Sequence, residues 1–351
     1  MKIIYVDMSV DGHHITYLST LVKQENIEPV LILPEKIDID CKQYIYKTKE
    51  SGKRTLKTFK KWLKEVSSFV EKEKPDIVHF LYGDAFYRFF GAGLSYFKKY
   101  KTILTLHWIK EGVFGILSTK MICSNVDIVV VHSDYIKKLF EKNNIKNVHH
   151  IEYPQFNEQK LSKETACQYF DLNINIPTIA CIGNTRYDKG LDVLLDALKN
   201  ITCPFQLLIA GKEESFDRRY IEEKSATYRD NVRMCLHYLN DDELSNALCA
   251  SDIIALPYRK KFNGASGPLG EGVALGKCIV GPNHGTLGYT IENNHLGYTF
   301  ESENSDDLAK TLYKALTSHF EQDELYCMYK DSLGVNAFVE KYNFLYKLLL
   351  K

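Results

Sequence analysis

Two cations stand three residues apart in the segment GNTRYDKGLDVLLDAL: Arg186 and Lys189, in a turn between a strand ending at Gly183 and a helix expected to begin near Lys189. A helix N-terminus already favours an anion, and two fixed positive side chains beside it would complete a clamp for a diphosphate. The following LLIAGK places Gly211 and Lys212 at the end of the next strand, on the same edge of the sheet. A second group lies in SDIIALPYRKKFNGASGPLGEGVALGKCIVGPNHG, residues 251–285, which reads as strand, Gly-rich loop, helix from near Pro268, strand and turn. There Glu271 falls in the first turn or so of the helix. A carboxylate at that place can accept both hydroxyls of a ribose, or it can simply complement the helix dipole. Ser266 and Gly267, just before it, offer a hydroxyl and backbone N–H groups to a phosphate. In the first half, Gly12 sits in VDGHHITYL where the chain must bend close to a ligand, His13 and His14 open a helix, and His107 ends the strand LTLHW.

The elements that must carry these residues form one repeated pattern. IIYVD (3–7), PVLIL (29–33), DIVHFL (76–81), KTILTLHW (101–108) and VDIVVVHS (126–133) are runs apolar on both faces, as parallel strands covered by helices must be. Helices are expected from about Ile15 and over 53–73. After polar residues 155–175 the pattern restarts with PTIACIGN (177–184), FQLLIAG (205–211), NVRMCLHYL (231–239), DIIALPY (252–258) and KCIVGPN (277–283). The fold class is therefore α/β, two tandem Rossmann-like, doubly wound domains with a cleft between them. The expected division is 1–160, 161–330 and a closing helix in 331–351 whose apolar residues Phe338, Val339, Phe344, Leu345, Leu348 and Leu349 would pack back on the first domain.

At 351 residues the chain exceeds one ordinary core, which agrees with two domains. Nine scattered cysteines, an odd number with no CxxC pair, read as free thiols in a reducing cytoplasm and argue against structural zinc. The N-terminus lacks the pattern of a signal peptide, and no run of about 18 apolar residues occurs. The net charge of zero conceals 24 Lys+Arg against 17 Asp+Glu in residues 1–150, so the first half is basic. That suggests an anionic partner, either phospholipid headgroups or a pyrophosphate-linked acceptor. In KRTLKTFKKWLKEVSSFV, Lys53, Lys57, Lys60, Lys61 and Lys64 share a face and form a candidate contact with an anionic membrane. No nucleic-acid-binding module is present, and the basic excess is confined to one half.

Residues 183–285 resemble the donor-binding half of family 4 of the retaining glycosyltransferases, of GT-B fold. GNTRYDKG, LLIAG, ASDIIALPY and SGPLGEGVALGKCIVGPNHGTLG follow in the family's order and spacing. VDGHHITYLSTL, LTLHW and VHSDYIKKLF extend the likeness more weakly through the first half. The resemblance implies an enzyme that moves a sugar from a nucleotide diphosphate donor to a carbohydrate or lipid-linked acceptor in surface polysaccharide synthesis; the free thiols and the basic helix add the expectation of a cytoplasmic protein, peripheral on the inner face of the membrane. It implies that Arg186 and Lys189 hold the diphosphate and Glu271 the ribose. Gly12, His13, Gly183, Gly211, Ser266 and Gly267 would approach the donor, Tyr238 and Leu239 would flank the base, and His107 would face the sugar. Transfer of this kind needs no metal, and no clustered Asp/His ligand set is evident.

The chain departs from the family where the first of two glutamates separated by seven residues is Asn263, where Asn184 replaces the usual arginine after the glycine, and where the Gly-Gly-x-x-Glu turn reads HGTLGYTIE. Asn263 removes a charge near the transferred sugar, which leaves a non-catalytic nucleotide-sugar-binding protein as an alternative. A dinucleotide-dependent oxidoreductase shares the α/β pattern, but DMSVDGHH lacks the G-x-G-x-x-G that lets backbone meet pyrophosphate.

Overall fold

β-Branched and leucine-rich runs of four to six residues, buried on both faces, set the architecture. A computed structural model describes residues 1–10, 13–48, 55–110, 112–156, 161–262 and 266–351, with His13 described by its backbone alone. The chain divides into two units, Met1–Tyr153 with Val335–Lys351, and Pro154–Gly334.

The first unit holds seven parallel strands: β1 Lys2–Val6, β2 Glu28–Leu33, β3 Lys42–Ile45, β4 Ile77–Phe80, β5 Lys101–Leu106, β6 Ile128–Val131 and β7 Val148–His150. Their spatial order is β3-β2-β1-β4-β5-β6-β7, with Ile4 in register with Val30 on one side and Val78 on the other. The second unit holds six: β8 Thr178–Ile182, β9 Gln206–Ala210, β10 Val232–Cys235, β11 Ile253–Ala255, β12 Cys278–Pro282 and β13 Gly297–Phe300. They run in the order β10-β9-β8-β11-β12-β13, again parallel. In each unit the strand order reverses direction once, between β1 and β4 and between β8 and β11. The crevice beyond the carboxyl ends of such a pair is where open α/β sheets bind ligands.

Three strands were not foreseen: β3, β7 and β13. Each lies at the edge of its sheet and is only part-buried, so its sequence (KQYI, VHH, GYTF) shows no continuous apolar run. β10 ends at Cys235, earlier than the apolar letters to Leu239 suggest. The basic helix runs Leu56–Glu73, starting at a capping box in which Thr55 and Thr58 bond each other's backbone N–H. Lys53 lies outside the described residues.

The closing helix, Val335–Leu350, belongs to the first unit, but its inward face differs from the one expected. Phe338, Tyr342, Leu345 and Tyr346 are buried, while Phe344 and Leu348 are exposed. The tyrosines are tolerated inside because each hydroxyl has a partner. Tyr342 Oη lies 2.5 Å from Tyr17 Oη and 3.1 Å from Thr105 Oγ1, and Tyr346 Oη lies 3.0 Å from His79 Nδ1. His79 Nε2 returns to Thr105 Oγ1 at 3.0 Å. Burial drives the His79 pKa down to about 3, so the ring is neutral and can accept as well as donate.

Replacing Tyr342 by Phe keeps the packing and leaves the buried Tyr17 and Thr105 hydroxyls each short of a partner. The first unit should lose about 1–3 kcal/mol, read as a lower urea midpoint of its unfolding step.

Candidate active site

Gly183 ends β8 with φ +111°, a conformation that L side chains rarely adopt. A Cβ there would collide with Lys189 Nζ, so the glycine is what lets the lysine lie across the strand end. Gly211, at the end of β9, has φ +145°, and a Cβ on it would strike the Gly183 backbone. The two glycines therefore let adjacent strand ends pack backbone on backbone beneath the ammonium. Tyr258, just beyond β11 and buried, places its ring 5.6 Å from Lys189 Nζ. Burial pulls the Lys189 pKa down. Among the described residues no carboxylate forms an ion pair with it. An ammonium removed from water and left without a counter-ion is costly unless an anion joins it.

Arg186 stands beside this lysine as expected but is held by Asp188. Its Nε and Nη2 donate to the carboxylate at 2.9 and 2.6 Å, a bidentate pair that raises the Arg186 pKa and lowers that of Asp188. The pair is partly exposed, so a diphosphate would share or displace it. Residues Tyr187–Lys189 form one 3₁₀ turn, and the helix proper begins later, at Leu191. Arg259, buried, braces the turn: it donates to Tyr187 O at 2.9 Å, pairs with Asp192 at 2.6 Å and lies 4.1 Å from the Tyr187 ring.

Glu271 lies in the second turn of the helix Gly267–Ala274, further in than the sequence suggested, so dipole complementation explains little of it. Its carboxylate has no hydrogen-bond or ion-pair partner among the described residues, and burial, then Asp241, push its pKa up to about 7. Ser266 is the N-cap, yet its side chain makes no capping bond; its Oγ lies 3.4 Å from Tyr258 Oη. Among the described residues nothing approaches the position of a Cβ on Gly267, and none of them closes the helix start to an incoming anion. Tyr238 is exposed, whereas Leu239 packs partly against the core. Asn263 and Gly12 lie outside the described residues, as does the His13 side chain.

In the first unit, a small cavity of about 80 Å³ sits where β1 and β4 end, lined by Asp7, His14, Tyr17, Leu81, Tyr82, His107 and Tyr153. His107 is fixed from two sides. Its backbone N–H and that of Trp108 donate to the buried Asp84 carboxylate at 3.1 and 3.2 Å, and its Nε2–H donates to Leu81 O at 2.8 Å. This leaves Nδ1 as the acceptor nitrogen. His14 Nδ1 meets the buried Asp7 at 3.0 Å.

Residues 176–318 match the family model of glycosyl transferases group 1. An uncharacterized glycosyltransferase of Methanocaldococcus jannaschii is 25% identical over 260 residues, 72% of this chain and 68% of that one. A GDP-mannose:glycolipid 4-beta-D-mannosyltransferase of Xanthomonas campestris pv. campestris is 26% identical over 128 residues, 36% of each chain. Among solved structures, a glycosyltransferase of Rickettsia africae superposes with a TM-score of 0.77 at 19% identity, covering 100% of this chain and 98% of that one. HepE of Anabaena in complex with UDP gives 0.75 at 14%, covering 98% and 99%.

Residues 176–318 are a group 1 glycosyltransferase domain, in a chain of GT-B fold.

For this glycosyltransferase the oxidoreductase alternative falls away, since the matched segment contains both Lys189 and Glu271. Tyr258, Asp188 and Arg259 are the site residues that sequence reading missed. Their only signals were the acid between two cations in RYDKG and the arginine straight after a strand in PYRKK. Among the described residues one group, Cys235, His237 and Glu243, brings three metal-ligand atoms within 4.8 Å. Glu243 there already bonds His237 Nε2 at 2.7 Å and caps its helix through Asn240 N at 3.0 Å, which accounts for the grouping without an ion.

With its folded pKa above the ordinary value, Glu271 binds a proton more tightly in the folded ligand-free chain than in the unfolded one. Stability from this group is full below pH 4.5 and is lost as pH rises to about 7. Glu271→Gln should remove that decline, making thermal melts at pH 5 and 7.5 differ less than in the wild type, with the second unit's step carrying the change.

Proposed function

We propose that this glycosyltransferase transfers a sugar from a nucleotide diphosphate donor to a carbohydrate acceptor, with retention of anomeric configuration. The observation that carries the reading is the coexistence, in one unit, of a desolvated ammonium without a counter-ion and a desolvated carboxylate without a donor. A nucleotide diphosphate supplies both missing partners: phosphate oxygens for Lys189 and Arg186, and a ribose diol for Glu271. Ser266 and the open helix start at Gly267 add N–H groups to the phosphates. Tyr238 and Leu239 flank the base. That HepE was solved with UDP supports a nucleotide ligand here.

In the transfer, the acceptor hydroxyl oxygen bonds to the anomeric carbon as the bond from that carbon to the diphosphate oxygen breaks on the same face. The acceptor's proton passes to the departing diphosphate. The catalytic task of the protein is to stabilise the charge building on that diphosphate, through Lys189, Arg186 and the N–H groups. His107 Nδ1 accepts a hydrogen bond from a sugar hydroxyl, held in orientation by Leu81 O and Asp84. With two side-chain cations serving the diphosphate, the reaction is proposed to need no metal. The acceptor is proposed to be lipid-linked, in surface glycan assembly on the cytoplasmic side; the glycolipid named for the Xanthomonas relative supports this.

Asn263, in place of a glutamate, favours one second reading, a protein that binds the donor without transferring it. Slow release of free sugar from a bound UDP-, GDP- or ADP-sugar is expected of the transferase and not of the binder.

Lys189→Ala and Glu271→Ala should each weaken nucleotide-sugar binding by about tenfold or more, as titration calorimetry would measure after a screen of UDP-, GDP- and ADP-sugars. Wild-type affinity in both variants would remove the site assignment.

A further inference from the structure

The helix Gly112–Cys123 of the first unit, GVFGILSTKMIC, is arranged against the usual rule. It buries Gly115, Ser118, Thr119, Ile122 and Cys123, small or polar residues for the most part, and leaves large apolar side chains outside. Val113 is 81% exposed, Phe114 75%, Leu117 47% and Met121 43%. At 100° per residue these four fall within about 100° of helix circumference, so they form one stripe. The inward face is tied to the rest of the unit by Ser118, whose Oγ donates to Tyr87 O at 2.7 Å, while Thr119 Oγ1 bonds within the helix to Gly115 O at 2.9 Å. The helix therefore cannot roll to bury the stripe without breaking the buried Ser118 bond. Beside it lies a cavity of about 280 Å³ lined by Ile109, Ile116, Leu139, Phe140, Ile145 and Lys110, which adds apolar space next to the exposed face.

The chain segment that carries the stripe is basic. Residues 86–123 contain Arg88, Lys98, Lys99, Lys101, Lys110 and Lys120 against a single acid, Glu111. All six cations are exposed, and of them Lys99 is paired with Glu71. Among the described residues no helix is long and apolar enough to cross a membrane. A short exposed apolar stripe with basic residues about it suits the boundary between anionic headgroups and acyl chains. The Leu56–Glu73 helix, singled out earlier for its lysines, differs: Phe59, Trp62, Leu63, Val66 and Val70 are buried, so Lys57, Lys60, Lys61 and Lys64 can act by charge alone.

We propose that the Gly112–Cys123 helix is a membrane-docking element, with Val113, Phe114, Leu117 and Met121 inserted at the surface of an anionic bilayer and the neighbouring cations against its headgroups. The inference deepens the proposed lipid-linked acceptor and rests on that reading for its purpose, but vesicle binding and nucleotide binding are measured separately, so either can fail alone.

The test is co-sedimentation of the full chain with vesicles of phosphatidylglycerol and phosphatidylcholine, and with phosphatidylcholine alone. The wild type should bind the anionic vesicles, and Val113→Ser/Phe114→Ser, shown folded by circular dichroism, should bind them about tenfold or more weakly. Lys60→Gln/Lys64→Gln should lose less than the apolar double variant. Absence of wild-type binding, equal binding by the apolar double variant, or a larger loss from the Lys60/Lys64 variant would each overturn the proposal. So would a wild-type dimer that Val113→Ser/Phe114→Ser makes monomeric, since a second copy would then cover the stripe.

Discussion

Holding a half-buried lysine ammonium with no carboxylate paired to it is the constraint around which the second unit's strand ends are built. Removing a charge from water is unfavourable, and most proteins either pair such a group or let it reach solvent. Here the arrangement that prevents pairing and limits access to water is specific. Gly183 and Gly211 clear the floor, Tyr258 walls one side, and the acid nearest in sequence, Asp188, is engaged by Arg186. Arg259, anchored by Asp192 and Glu303, keeps the turn from relaxing. A strained electrostatic state of this kind is characteristic of a place where a ligand completes the structure.

Glu271 is the same constraint with the opposite sign. It too is desolvated and unpartnered, and its raised pKa records the cost of keeping it so. The two groups sit in elements on either side of the β8/β11 reversal: Lys189 follows β8, and Glu271 lies in the helix between β11 and β12. The sheet topology thus explains how residues distant in sequence come to serve the one ligand proposed. The first unit repeats the logic with different chemistry. Its cavity lies at the β1/β4 reversal and is lined by histidines, tyrosines and an Asp–His pair rather than by an unpaired cation.

Much of this was legible in the sequence because the central strands of a doubly wound sheet are buried on both faces. Such runs as IVVV and QLLIA announce themselves. The edge strands β3, β7 and β13 did not, since half-buried strands share their letters with loops. Arg186, Lys189 and Glu271 were singled out by placing charges at strand ends and helix starts. Tyr258 was hidden because a buried tyrosine under a lysine looks in sequence like any strand residue. The Asp188 clamp on Arg186 required knowing that RYDK folds as a tight 3₁₀ turn. In the closing helix, periodicity located the element but not its face, because Tyr342 and Tyr346 are admitted to the interior by the hydroxyl, threonine and histidine partners that only the tertiary fold supplies.

The claim at the centre is that a nucleotide diphosphate relieves two half-buried, unpaired charges at once. The most direct measurement is the Glu271 carboxyl pKa by carbon NMR on selectively labelled protein, without and with a saturating nucleotide sugar. The account predicts a ligand-free value near the raised one, about 7. On binding, the value should drop by roughly one unit or more, as ribose hydroxyls bond to the carboxylate. A Glu271 pKa that is unmoved by a nucleotide sugar bound at saturation would contradict it.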